Sequence, residues 1–254
     1  MLEALIEHPQ HSALLVDFDG TLSAIVDHPD RAVALPGVVE VLARLTEILA
    51  VVGVVSGRPV EFLRQALPVP GLELVGQYGL ERSDGTGVVV DPRATEFMPA
   101  VAAVADRAET ELAGVFVERK GTVAVTLHWR AGPTLARSTQ EWATAAAANT
   151  GLTIYPTKMA VELRPPVPVD KGSAVAELAA GMTAVVFAGD DHGDLAAFDA
   201  LDLLAATGTH TVRVAVRSSE EPPELVDRAD LTVDGPLGAL DLLTRIAAAL
   251  RARG

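Results

Sequence analysis

Short Val-rich apolar runs ending in polar or glycine residues recur along this chain, as ALLVDFDG, LAVVGVVSG, LELVGQYG, TAVVFAGDD, TVRVAV and ADLTVDG. That recurrence limits the available folds more than any other feature, because such a run between loop residues reads as a strand buried on both faces. Helix-like stretches lie between them at 37–49, 59–66, 171–181 and 193–204. Strand–helix alternation predicts a parallel sheet covered on both sides, a doubly wound, Rossmann-like α/β core. With 49% hydrophobic but only 4% aromatic residues, the interior has to be built from Ala, Val and Leu, the usual filling of helix-flanked parallel sheets.

The middle of the chain has another pattern. Val88–Val90 reads as a strand, 95–113 as a helix, 115–118 and 122–130 as paired strands, 134–149 as a helix, and 153–156 and 159–164 as two more strands. Strand pairs joined at Lys120-Gly121 and at Thr157-Lys158 suit an antiparallel sheet with two helices on one face. The proline-rich RPPVPVD at 164–170 is a semi-rigid return to the core. The expected domains are 1–81 with 166–254 as the α/β core and 82–165 as an inserted α+β unit.

A net charge of −14 opposes broad contact with nucleic acid or an anionic membrane. With no cysteine, a disulfide framework, a thiolate metal site and a cysteine nucleophile are all excluded, and the chain suits a reducing cytoplasm. The start, MLEALIEHPQHS, lacks the pattern of a secretory signal, and no apolar run reaches spanning length. A soluble cytoplasmic protein is expected.

Asp17-Phe18-Asp19-Gly20-Thr21-Leu22 follows the first apolar run, and parallel sheets place their ligands at the carboxyl ends of strands. Two carboxylates there can divide the work, one attacking phosphorus and the other protonating a leaving alkoxide. Alone, Asp-x-Asp-Gly is equally compatible with a turn whose carboxylates cap backbone amides. Three further segments favour chemistry. Ser56-Gly57-Arg58 ends the second run, where a hydroxyl and backbone N–H groups could hold a phosphoryl oxygen. Lys171-Gly172 opens a helix, where a lysine opposes the helix dipole but could neutralise a phosphate. Gly189-Asp190-Asp191, with Asp194 a turn later, adds carboxylates at another strand end. So many carboxylates call for a cation, and an oxygen-only set without Cys favours Mg²⁺.

In this order, DFDGTL, SGR, KG and GDD resemble the four motifs of the haloacid dehalogenase superfamily. The resemblance implies Asp17 as nucleophile, Asp19 as general acid/base, and Ser56 and Lys171 holding the phosphoryl group. It implies Asp17, the Asp19 carbonyl and Asp190 as ligands of Mg²⁺, supported by Asp191 and Asp194, and 82–165 as a cap closing over the substrate. Over most of the chain, DFDGTLSAIVDHP, VGQYGLE, ERKGTVAVTLHWR and KMAVELRP are similar to the trehalose-6-phosphate phosphatases. That similarity implies Glu118, Lys120 and Glu162 as sugar-binding cap residues, with Arg58 also at the substrate and Gln77, Glu81, His128 and Arg130 as second-tier candidates. The chain departs from the family at His192-Gly193-Asp194-Leu195, where Thr-Asp-Glu is common, and at Tyr78-Gly79, where His-Gly is usual.

The expected activity is Mg²⁺-dependent hydrolysis of trehalose 6-phosphate through an aspartyl-phosphate. Other sugar phosphates (glycosyl-phosphoglycerate, sucrose phosphate, a pseudo-disaccharide phosphate), a phosphomutase and a non-catalytic sugar-phosphate sensor are the alternatives. The expected partner is the small sugar phosphate, with the glycosyltransferase that makes it as a possible macromolecular one. His28 reads as a turn residue, His192 as a site-lining rather than catalytic imidazole, and Trp129 and Trp142 as packing residues.

Overall fold

The structure is a computed structural model that describes residues 1–26, 31–157, 159–218 and 221–253. His28 and Lys158 fall outside the described residues. The chain divides into two compact units, Met1–Val88 with Val169–Gly254, and Val89–Pro168.

In chain order the first unit begins with α1 (Glu3–Glu7), β1 (Ser12–Val16), α2 (Val38–Thr46), β2 (Val51–Val55), α3 (Val60–Ala66), β3 (Glu73–Gly76) and β4 (Glu81–Ser83), and β5 (Val88–Val90) straddles the boundary. The second unit holds α4 (Pro92–Thr95), α5 (Met98–Glu111), β6 (Phe116–Lys120), β7 (Ala124–His128), α6 (Ala136–Thr150), β8 (Thr153–Thr157) and β9 (Ala160–Arg164). The chain then returns through α7 (Lys171–Leu178), β10 (Ala184–Gly189), α8 (Leu195–Ala206), β11 (His210–Arg217), α9 (Pro223–Arg228), β12 (Leu231–Asp234) and α10 (Gly235–Arg251).

The larger sheet has the order β12-β11-β10-β1-β2-β3-β4-β5 and is parallel from β12 through β3. Side chains alternate between faces along a strand, and the core divides accordingly. Leu14 and Val16 of β1 join Val52, Val54, Val186 and Val214 under α2 and α10. Ala13 and Leu15 pack on the other face with Val185, Phe187 and residues of α7, α8 and α9. Burial on both faces is why these strands read as continuous apolar runs, and it makes the core doubly wound as expected. β4 pairs antiparallel with β3, Val75 opposite Arg82. The main-chain pairing thus carries the first unit past residue 82, to Val88.

The smaller sheet is antiparallel, in the order β6-β7-β9-β8. Val125, Leu127, Val161 and Leu163 pack on Val101, Val104 and Ala108 of α5 and on Ala143, Ala146 and Ala147 of α6, together with Trp129. The helix expected over 95–113 is α5, Met98–Glu111, with Pro99 in its first turn and the short α4 ahead of it. Proline lacks the N–H that a helix interior requires and is tolerated only in a first turn, so the helix starts there. Among the described residues no helix is long and apolar enough to cross a membrane.

Candidate active site

Loops at the carboxyl ends of β1, β2 and β10, with the start of α7, build the site in the first unit. The Asp17 N–H donates to the Ala188 carbonyl at 2.8 Å, extending the parallel pairing one residue past β1 and fixing the backbone under the Asp17 carboxylate. The Phe18 carbonyl then accepts from the N–H groups of Thr21, Leu22 and Ser23, closing the loop. Gly20 has φ +72°, and a Cβ there would fall 2.1 Å from Asp190 Oδ2. Only glycine fits so close an approach in the left-handed region.

Ser56 is buried at the end of β2, its N–H donating to the Val75 carbonyl at 2.9 Å and its hydroxyl oxygen accepting from the Arg58 N–H at 3.3 Å. At the end of β10 the N–H groups of Asp190 and Asp191 both donate to Asp194 Oδ2, at 2.9 and 3.0 Å. α7 starts at Lys171 behind a reciprocal cap, in which Asp170 accepts from the Ser173 N–H at 2.8 Å and the Ser173 hydroxyl accepts from the Asp170 N–H at 3.0 Å. That cap stabilises a helix start that a lysine alone would oppose.

The Lys171 ammonium is 2% exposed and lies 3.0 Å from Asp17 Oδ2, 2.7 Å from Asp194 Oδ1 and 3.7 Å from Asp191 Oδ1. Burial alone would push its pKa down, but Asp17, Asp191 and Asp194 together hold it well above the ordinary lysine value. Burial pushes Asp17 up to about 7 despite the lysine, with the other carboxylates adding to the rise. Asp190 is pushed up to about 8, by burial first and then by the charges of Asp194 and Asp191. Asp194 is raised well above the usual carboxylate range, again by burial first. Burial also acts to raise Asp191, but Lys171 and hydrogen bonds with Gly193 and Asp194 hold this exposed carboxyl below its usual value.

Oxygens of Asp17, Asp191 and Asp194 lie within 4.8 Å of one another. Asp190, which the family resemblance implies as a metal ligand, is outside that trio and rests against Gly20. An all-carboxylate set of this density, in which burial pushes Asp17 up to about 7, fits a hard divalent cation that would relieve the repulsion.

Asp19 is held elsewhere: Arg58 grips it with two prongs, Nε to Oδ2 and Nη2 to Oδ1, both at 2.7 Å. Glu81 is buried and accepts the Val60 N–H at 2.8 Å, closing the start of α3, whose N-cap Pro59 makes no side-chain cap. Gln77 and Tyr78 both have positive φ, 50° and 57°, and their N–H groups donate to the carbonyls of Arg58 and Ser56. The Tyr78 ring covers Gly57, where a Cβ would meet it at 2.6 Å. His192 is exposed.

In the second unit, Glu118, Thr126, Glu162 and Tyr155 form one row across the sheet. Glu162 is 1% exposed, and its Oε2 accepts from Lys120 Nζ at 2.7 Å and from the Thr126 hydroxyl at 3.2 Å. His128 Nε2 lies 2.8 Å from Glu118 Oε2, and Arg130 is exposed. Trp129 is buried in the core of this unit, and the Trp142 N–H donates to Glu111 at 2.7 Å. Sequence reasoning missed Arg164, whose guanidinium lies 3.5 Å above the Tyr155 ring and 3.8 Å from Glu162 Oε1. Its signal was available, since Glu162 and Arg164 sit two apart on β9 and share a face.

The parallel sheet with carboxylates at the ends of its central strands has the fold of a haloacid dehalogenase-like hydrolase from Bacteroides thetaiotaomicron, with a TM-score of 0.63 at 16% identity, covering 93% of this chain and 99% of that one. Residues 15–228 match the family profile described as trehalose-phosphatase, and the chain belongs to that family. A trehalose-phosphate phosphatase of Mycobacterium avium is 32% identical over 251 residues, covering 94% of this chain and 62% of the relative's length. The chain thus spans under two thirds of the curated relatives it matches. Among solved structures, a trehalose-6-phosphate phosphatase related protein superposes with a TM-score of 0.81 at 23% identity, covering 95% of this chain and all of that one. The C-terminal domain of trehalose-6-phosphate phosphatase from Candida albicans gives 0.74 at 22% identity, covering 96% and 94%.

Proposed function

We propose that the chain is a Mg²⁺-dependent phosphatase acting on trehalose 6-phosphate. The observation that carries this reading is the buried Asp17 carboxylate with the Lys171 ammonium 3.0 Å away at the end of a central strand. In this reading Asp17 attacks phosphorus in line, forming an aspartyl-phosphate, while Asp19 protonates the departing sugar oxygen. Ser56 and Lys171 hold the phosphoryl oxygens, work that is mainly positioning and charge balance. Asp17, the Asp19 carbonyl and Asp190 would hold Mg²⁺, with Asp191 and Asp194 in support, and the bound ion would supply positive charge to keep Asp17 ionised and offset the charge developing on phosphorus. Water then attacks the aspartyl-phosphate with Asp19 as base. Glu118, Lys120 and Glu162 take sugar hydroxyls, a reading supported by the polar row that holds Glu118 and Glu162 and by the Lys120 ammonium that donates to Glu162. The proposed location is the cytoplasm, and the proposed macromolecular partner is the glycosyltransferase that makes the substrate.

The test is phosphate release from trehalose 6-phosphate and a panel of other sugar phosphates, with Mg²⁺ and with chelator, for wild type and Asp17→Asn. Selective, Mg²⁺-dependent release that vanishes in the variant is expected. Wild-type turnover by Asp17→Asn would end the nucleophile assignment, and a preference for another sugar would end the substrate assignment.

A further inference from the structure

Asp19 is clamped by Arg58, and Arg58 also lies against an aromatic ring. The two-pronged contact fixes Arg58 at one edge, with both donor distances at 2.7 Å. On its flat side the guanidinium carbon lies 4.7 Å from the centre of the Phe62 ring. Phe62 in turn meets Phe18, the residue between the two loop aspartates, edge to face at 5.5 Å and 83°. Phe62 thus touches both the clamp on Asp19 and the loop from which Asp19 springs. A planar cation over an aromatic face loses two modes of motion, tilting and sliding, that a lone ion pair on a long side chain retains.

We propose that Phe62 is a positioning residue, acting through Arg58 to hold the Asp19 carboxylate in place. The catalytic consequence rests on the phosphatase reading given above; the positional one does not. The ring packs against the core beside Phe18 and is otherwise half-buried on α3, where it lines a surface groove of about 470 Å³ with Leu35, Gln65 and Ala66. Leucine there keeps apolar bulk but removes the face on which Arg58 lies and the edge contact with Phe18, whereas tyrosine keeps both.

Two measurements on Phe62→Leu and Phe62→Tyr test the proposal. In ¹⁵N side-chain spectra, with the Arg58 Nε–H signal identified by its loss in Arg58→Lys, that proton should exchange with water about fivefold faster in Phe62→Leu, the order expected for losing a partly buried cation–π contact. Phe62→Tyr keeps the face and should restore the wild-type rate. For kinetics, kcat/KM reports only the steps up to departure of the leaving group, so it should fall about fivefold on trehalose 6-phosphate in Phe62→Leu. On p-nitrophenyl phosphate, whose leaving group departs without a proton, it should fall by less than about twofold. Unchanged exchange in Phe62→Leu, or equal losses on both phosphates, overturns the proposal. Wild type that ignores every sugar phosphate refutes the phosphatase reading instead, and the exchange rates alone then decide the positional claim.

Discussion

Replacing Lys171 with Met keeps the length of the buried stem and deletes only its charge. The lost ammonium lies 3.0 Å from Asp17 and 2.7 Å from Asp194, with Asp191 at 3.7 Å, and is 2% exposed. Removing one partner of a buried ion pair typically costs about 3–5 kcal/mol, because the remaining charge has no counter-charge. The lower end applies here, since Asp17 and Asp190, already pushed up to about 7 and about 8, can take up protons instead. The metal-free variant is therefore expected to be about 3 kcal/mol less stable than wild type at pH 8, and closer to it at pH 6. At about 2–4 °C per kcal/mol for a chain of this size, Tm should fall by about 6–12 °C at pH 8. A divalent cation at about a hundred times its Kd should return about 2.7 kcal/mol. Thermal melts with chelator at both pH values, repeated with Mg²⁺, read these changes. A variant melting within about 2 °C of wild type at pH 8 would refute the claim that Lys171 is the counter-charge of this cluster.

Chelated wild type should itself lose stability between about pH 5 and pH 8, because Asp17 and Asp190 titrate higher in the folded state than in the unfolded chain, so the folded state binds more protons there. Urea midpoints that rise over that range would contradict this, and divalent-ion binding should release protons and strengthen with pH. Gly20→Ala would place a Cβ 2.1 Å from Asp190 Oδ2 at a φ of +72°, and should weaken divalent-ion binding at least about tenfold by calorimetry; wild-type affinity would dissociate Asp190 from the ion. Glu81→Ala should cost about 1–3 kcal/mol in urea unfolding by leaving the buried Val60 N–H without its acceptor, whereas Glu81→Gln keeps an acceptor and should cost less.

Much of the fold was legible because burial on both faces leaves a direct trace. The Val-rich runs became β1, β2, β3, β10, β11 and β12, and alternate residues of β1 pack into two separate clusters. α10 left an equally clear trace, with Ala239, Leu242, Leu243, Ile246, Ala247 and Leu250 at helical spacing, yet it went unread beside the stronger strand pattern. α1 spans only Glu3–Glu7, too short for any periodicity to register. The helix expected over 95–113 starts three residues late, at Met98, because Pro99 belongs in a first turn.

By itself the sequence determined the parallel core, the inserted unit and the arrival of Asp17, Asp19, Ser56, Lys171, Asp190, Asp191 and Asp194 in loops and at helix starts. These depend on local pattern: period, turn residues and motif order. Which of those groups meet was decided only by the tertiary structure. Lys171 lies between Asp17, Asp191 and Asp194, Asp190 stands apart against Gly20, Arg58 closes on Asp19 over Phe62, and Glu81 caps α3. Each of these is a contact between residues on different elements, whose distance depends on strand register and helix placement rather than on spacing along the chain. The shifted pKa values follow for the same reason, since burial and neighbouring charge exist only once the strands have paired.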